Sequence, residues 1–224
     1  MVPEESEAKI MTSQYKDANG VYYNRLGITD AKTLQESETA LSALRMGELI
    51  DHPIPGTFDL EHLKRIHGHI FQDVYSWAGE IRVCDLSKYE TNFCSPEFIE
   101  SFLKDEFKKL RDNRYYIDGT YKEKLVELAA LFNNINQAHP FREGNGRTQK
   151  QFMEWLGIVS GVSIEFAKVK RDQLIEASIA GRISDAPMIA LFEQCGHSIS
   201  ENVQMEKSRK LIPEGLYKEL FIRR

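Results

Sequence analysis

A strongly apolar helical segment, residues 120–138, runs straight into His139-Pro-Phe-Arg-Glu-Gly-Asn-Gly-Arg-Thr-Gln-Lys150, and a second helix-like segment covers about 147–160. A Gly-rich turn that opens a helix offers backbone N–H groups and the positive end of the helix dipole to an anion. Arg147 and Lys150 lie three apart on the first turn of that helix, so both can reach one bound group. Glu143 supplies the hard oxygen that Mg²⁺ prefers, and Mg²⁺ usually arrives with substrate phosphates. His139 is the side chain here whose ordinary pKa lets it accept a proton near neutrality. Together these residues describe phosphate chemistry. The segment is not a P-loop, because G-x-x-x-x-G-K-[ST] is absent and no strand pattern precedes it.

The rest of the chain narrows the class of protein. Its 224 residues suit one or two domains and can bury a substantial core. A net charge of −5 gives no global attraction to nucleic acid or anionic membrane, so a basic site must be local. Cys84, Cys94 and Cys195 form neither an even disulfide framework nor a metal spacing and read as free thiols in a reducing compartment. No apolar run approaches the ~20 residues of a membrane span. Residues 1–20 are polar, lack a signal-peptide core and are expected to be disordered.

Periodicity gives a mostly helical protein. Thr29 or Asp30 can cap a helix to about Ile50, with Leu34, Leu41, Leu44 and Ile50 as its apolar face. His52-Pro-Ile-Pro-Gly56 ends it. A second helix is expected from Asp59 to Ser76. Ile81, Val83 and Asn92-Phe93-Cys94 are extended in character, with Ser87-Lys-Tyr-Glu90 as the turn of a short hairpin. Pro96 starts a helix to about Arg111, and further helices are expected at 170–181, 186–195 and 197–210. His62, His67 and His69 do not share one helix face and read as packing or solvent histidines, while Trp77 and Trp155 read as core.

The segment 139–150 resembles the signature of the Fic family, His-x-Phe-x-(Asp/Glu)-Gly-Asn-Gly-Arg-x-x-Arg, in which only Lys150 departs. The stretch from Phe58 to Arg82 looks like the Fic helix leading into its flap hairpin, and Lys170–Ile179 resembles a later core helix. The resemblance covers about residues 25–195. It implies an all-α helical bundle with one small β-hairpin, organised as a disordered 1–20, a Fic domain 21–200, and a helical extension 201–224 that would begin a further domain of a larger protein.

Fic enzymes typically transfer AMP from ATP to a hydroxyl side chain of a target protein. By resemblance, His139 would take the proton from the target Ser, Thr or Tyr, and Glu143 would hold Mg²⁺ bridging the α- and β-phosphates. Gly144, Asn145 and Gly146 would form the anion hole, Arg147 would hold the distal phosphates, and Phe141 would anchor the loop in the core. A target segment would pair with the flap as an added strand over about Cys84–Pro96, with Lys88, Tyr89, Thr91 and Phe93 as docking residues and Phe93 as a clamp.

Lys150 stands where the family's second Arg clamps the γ-phosphate; it keeps the charge and loses the bidentate fork. This leaves two alternatives open, altered chemistry with another nucleotide or phosphoryl group, and a non-catalytic recruiting module. Phosphorylating Doc relatives replace the second motif glycine by lysine, so the retained Gly146 favours nucleotidyl transfer. Neither Glu201-Asn202 nor Glu214-Gly215 completes the family's inhibitory motif Ser/Thr-x-x-x-Glu-Gly/Asn, because His197 and Lys210 stand four residues before them. The expected partners are a hydroxyl-bearing target and either a separate small antitoxin-like inhibitor or no such control, with no nucleic acid. The expected setting is the bacterial cytoplasm, or the host cytoplasm for a secreted effector.

Overall fold

The computed structural model describes residues 15–88 and 91–222, with nine α-helices among them. Helix α1, Ala31–Asp51, starts where the Asp30 carboxylate accepts the Thr33 N–H at 2.8 Å. Its inward stripe is Leu34, Glu38, Ser42 and Leu49. The expected stripe differs: Leu44 is 59% and Ile50 81% exposed. Ile50 stands nearly opposite Leu34 at 100° per residue, so the two never shared a face, and two polar residues line the inner side instead.

Helix α2, Leu60–Phe71, is capped by Asp59 and buries Leu60, Leu63, Ile66, Ile70 and Phe71 with His62 and His67 among them. It ends some five residues before the expected Ser76. The chain turns at Phe71, whose carbonyl accepts the N–H groups of Val74 and Tyr75, both at 3.0 Å. It then folds back so that Gly79, at φ +88°, lies against Gly68 and the Lys64 carbonyl, where a Cβ would stand 3.1 Å from that oxygen. Only glycine fits such an approach without strain.

The hairpin pairs β1, Ser87–Lys88, with β2, Thr91–Asn92, so its two turn residues, 89 and 90, fall outside the described residues. Helix α3, Pro96–Asp112, begins with proline at its first position. Helix α4, Tyr121–Ala138, opens on a reciprocal capping box between Thr120 and Glu123. Helix α5, Asn145–Ser160, is buried on nearly every side and packs against α2 and α4, so it is the middle of the bundle. The Gln149 amide donates to the Phe132 carbonyl, fastening α5 to α4 beside the motif.

Helices α6, Arg171–Ala180, and α7, Ala186–Cys195, follow, and α7 packs on α4. A second ladder pairs β3, Val162–Ile164, with β4, Gly196–Ser198. The sequence reading did not include it, because three-residue strands more than thirty positions apart leave no local signal. His197 sits in β4, and helix α8 starts later than expected, at Glu201–Leu211, followed by α9, Glu214–Phe221. Helix α8 packs on α5, with the Gln204 amide donating to the Val159 carbonyl at 2.6 Å. At the other end, Tyr15 and Val21 are buried in the core while residues 18–20 between them are exposed; of the stretch 1–20 expected to be disordered, residues 1–14 lie outside the described residues.

Two buried histidines make the fold sensitive to acid. Phe58 N–H donates to His62 Nδ1 and Gly79 N–H donates to His67 Nδ1, so each ring carries its proton on Nε2, which donates to the Ile54 and Glu143 carbonyls respectively. A second proton would meet a backbone N–H in a dry site, and burial holds His62 down to about 4 and His67 to about 3. The unfolded chain protonates both near pH ~6.5. Their contribution is therefore complete above ~6.5 and is lost as pH falls toward 4 and then 3. Between pH 7 and 5 the loss is on the order of 3 kcal/mol, or roughly 10 °C in Tm. A melting temperature that stays flat over that interval would show that both rings titrate freely.

Candidate active site

Helix α4 ends at His139, which caps it in the left-handed region at φ 44°, ψ 60°, while its N–H still reaches the Ile135 carbonyl at 3.0 Å. Pro140 follows and forbids another helical turn. Left-handed backbone at a non-glycine residue persists only where its surroundings enforce it.

The loop that follows is closed by its own side chains. Asn145 is buried, and its amide bridges Phe141 in both directions: Oδ1 accepts the Phe141 N–H at 2.9 Å and Nδ2 donates to the Phe141 carbonyl at 2.6 Å. Its side chain thus shapes the turn, leaving its backbone N–H for the expected anion hole. The Phe141 ring is buried and stacks on His67 at 3.9 Å between centroids. Gly144 precedes α5 at φ +80°, and a Cβ there would lie 2.2 Å from the Phe71 ring. Gly146, two residues on, is exposed, and an added Cβ would meet no atom within 4 Å.

The first α-helical bond of α5 runs from Thr148 N–H to the Gly144 carbonyl at 3.2 Å. The N–H groups of Asn145, Gly146 and Arg147 therefore precede the ladder and point out of the helix N-terminus. Glu143 is half-buried at the mouth of this cradle, and Oε1 accepts the Gly144 N–H at 3.1 Å.

The two cations take different surroundings. The Arg147 guanidinium donates to Ser42 Oγ at 2.7 Å, pairs with Glu38, and lies over the Phe71 ring at 4.6 Å. Glu38 also accepts the Tyr75 hydroxyl, whose pKa burial raises, with the neighbouring carboxylate adding to the shift. Glu38 and Ser42 stand between Leu34 and Leu49 on the inner stripe of α1, where they receive this arginine. Lys150 is half-buried one turn on, beside Glu154, whose carboxyl burial pushes up while Lys150 draws it down.

The flap is fastened to the same helix end. Phe93 N–H donates to the Leu86 carbonyl at 3.1 Å, and Cys94 N–H donates to the Gln137 carbonyl at 3.0 Å. The Phe93 ring stacks on the His139 imidazole, centroids 3.8 Å apart and planes within 17°. Lys88 and Thr91 are paired in the backbone ladder, and Tyr89 lies outside the described residues. Cys84, Cys94 and Cys195 are free thiols.

Several residues around the site carried no role in the sequence reading: Glu38, Ser42, Tyr75, Arg82, and the two histidines, taken only as packing. The available signals were weak ones, a histidine inside an apolar helical stripe and an arginine shortly after Trp77-Ala-Gly79.

A sequence description of the Fic/DOC family matches residues 57–156. Protein adenylyltransferase VbhT of Bartonella schoenbuchensis is 35% identical over 76% of this chain, which spans only 36% of that protein's length. The probable protein adenylyltransferase y4lH of Sinorhizobium fredii is 36% identical over 76% of this chain and 88% of its own length. Among solved structures, BepC of Bartonella tribocorum with bound AMPPNP superposes with a TM-score of 0.77 at 27% identity, over 85% of this chain and 99% of that one. An effector Fic domain of Bartonella quintana with bound ADP gives 0.79 at 27% identity, over 86% and 98%. Likeness of this extent means that the chain belongs to the Fic/DOC family.

Proposed function

We propose that this chain is a protein adenylyltransferase, moving AMP from ATP onto a Ser, Thr or Tyr hydroxyl of a target protein. The observation that supports this most directly is the juxtaposition, across residues 140–144 alone, of an imidazole and a helix N-terminus with unspent N–H groups. The target oxygen attacks the α-phosphorus, the bond to the bridging oxygen breaks, pyrophosphate leaves, and His139 receives the hydroxyl proton. The amides at the start of α5 neutralise charge that builds on the phosphate oxygens, where fixed dipoles act without reorganising. Glu143 fits Mg²⁺, being one hard carboxylate at the mouth of a phosphate cradle; the ion would supply charge neutralisation on the phosphates.

Arg147 is held by Glu38 and Ser42, so Lys150 is the freer of the two to follow the distal phosphates. The flap edge would receive the target as an added strand, with Phe93 beside the reacting hydroxyl. A separate small inhibitor protein, and action in the bacterial cytoplasm or inside a host cell, belong to the same proposal. Support for the latter comes from neighbours described as VirB-translocated effectors.

ATP labelled at the α- or the γ-phosphate, incubated with the protein, Mg²⁺ and cell lysate, tests the reading. Label on a protein from the α-position alone is the expected result. Label from the γ-position alone would replace nucleotidyl by phosphoryl transfer. None from either, with lysates of several bacterial and host sources, would favour a recruiting module.

A further inference from the structure

Arg82 is 1% exposed, and its charge is spent on main-chain carbonyls of the flap and the motif. Nε donates to the His139 carbonyl at 2.8 Å and Nη1 to the Cys84 carbonyl at 2.7 Å. Nη2 is shared between the Cys94 carbonyl and the Ala138 carbonyl, the latter at 3.2 Å. Its own N–H donates to the Pro140 carbonyl at 2.9 Å. One planar group thus holds both stems of the flap, the last carbonyl of α4, and the backbone of the residue at φ 44°. A lysine has no fork of fixed geometry and cannot span these acceptors at once. The C-terminus of α4 supplies part of the compensation for the buried cation, since its carbonyls carry the negative end of the dipole.

We infer that Arg82 is a positioning residue for the transfer reaction. It locks the flap stems to the left-handed backbone of His139, so that docking a target on the flap and aiming the imidazole are one event. The stacking of Phe93 on His139 is the side-chain half of the same unit. Without the clamp, the His139 carbonyl loses the partner that holds it, and the flap loses its common anchor with the base. The inference rests on the proposal that His139 takes the target's proton.

The test is Arg82→Lys, with transfer counted per mole of ATP-binding sites. ATP affinity should stay within about threefold of wild type, because the cradle at α5 is closed by Asn145 and not by Arg82. The ratio kcat/KM for the protein target should fall about 10²-fold, the usual cost of misplacing a reacting group by ~1 Å, with kcat lower and target KM higher. A purely structural role predicts a lower melting temperature and fewer binding sites, with kcat and target KM per site unchanged; that result overturns the inference.

Should the variant not fold, hydrogen exchange in the wild-type protein decides. The amides of Arg82, Phe93, Cys94 and His139 should exchange with a common protection factor, as one opening unit. Phe93 and Cys94 exchanging a hundredfold faster than Arg82 and His139 would overturn the clamp. The two proposals fail differently: a wild-type protein that transfers no α-label refutes the function, whereas Arg82→Lys at full activity beside an inactive His139→Ala refutes only the clamp.

Discussion

Replacing His139 by alanine is expected to lower AMP transfer about 10²–10⁴-fold, the range a general base contributes. ATP binding should change little, because the phosphate cradle is built from the N-terminus of α5 and held by Asn145. Two events are combined in that substitution, loss of the base and loss of the ring stacked on Phe93. His139→Phe separates them, since it keeps a ring to stack on Phe93 while abolishing the base, and it should be as inactive as alanine. His139→Gly adds a third arm. Glycine adopts φ 44° without cost, so it should melt above His139→Ala by about 1 kcal/mol worth of stability while remaining inactive. Transfer within tenfold of wild type in the alanine variant, measured with α-labelled ATP at saturating target, would remove His139 from the chemistry.

The second large effect is expected at Gly144, and its neighbour Gly146 is the control. Gly144→Ala sets a Cβ 2.2 Å from the Phe71 ring and asks alanine to hold φ +80°. Strain of ~1–3 kcal/mol and overpacking of a similar size together suggest a loss of about 2–6 kcal/mol and roughly 10 °C in Tm. Relief comes by displacing the buried Phe71 ring or the loop, and a ~1 Å shift of the cradle costs about 10²-fold in rate. Gly146→Ala meets no atom and has no unusual backbone angle, so its melting temperature should match wild type within a degree or so. If phosphate lies against the start of α5, the added methyl stands in the ligand's space, and ATP affinity should fall at least tenfold. Full ATP binding by Gly146→Ala would place the nucleotide elsewhere, whatever Gly144→Ala does.

The two glycines also show how far the sequence could be read. Both belong to one Gly-Asn-Gly turn and looked alike as anion-hole residues. Gly144 faces a ring contributed by α2, more than seventy residues earlier, while Gly146 faces solvent. Nothing local distinguishes them. Asn145 carries the same lesson: its amide closes the loop on Phe141, and that contact is invisible until the turn exists.

Local signals served well where a residue's job is local. The cap at Asp30, proline opening α3 and glycine before α5 are written within four positions of the group they satisfy. Signals failed where burial depends on a distant partner. Glu38 and Ser42 occupy the inner face of α1 because Arg147 reaches them there, whereas Leu44 and Ile50, more apolar, face outward. The ladder between β3 and β4 is another case, since each strand is too short to be recognised without the other.

By itself the sequence determined that the chain is helical, that a glycine-rich turn opens α5, and that an imidazole, a carboxylate and two cations flank it, because periodicity and turn chemistry act over a few residues. Only the tertiary structure decided what each group is free to do. It turned Arg147 toward α1, gave His67 the task of holding the Glu143 carbonyl, and gathered the flap and His139 onto Arg82. Each of those assignments is a hydrogen bond or ion pair between segments 50 to 110 positions apart, or between strands that a single buried guanidinium brings together, and such partners are chosen by packing and not by neighbours along the chain.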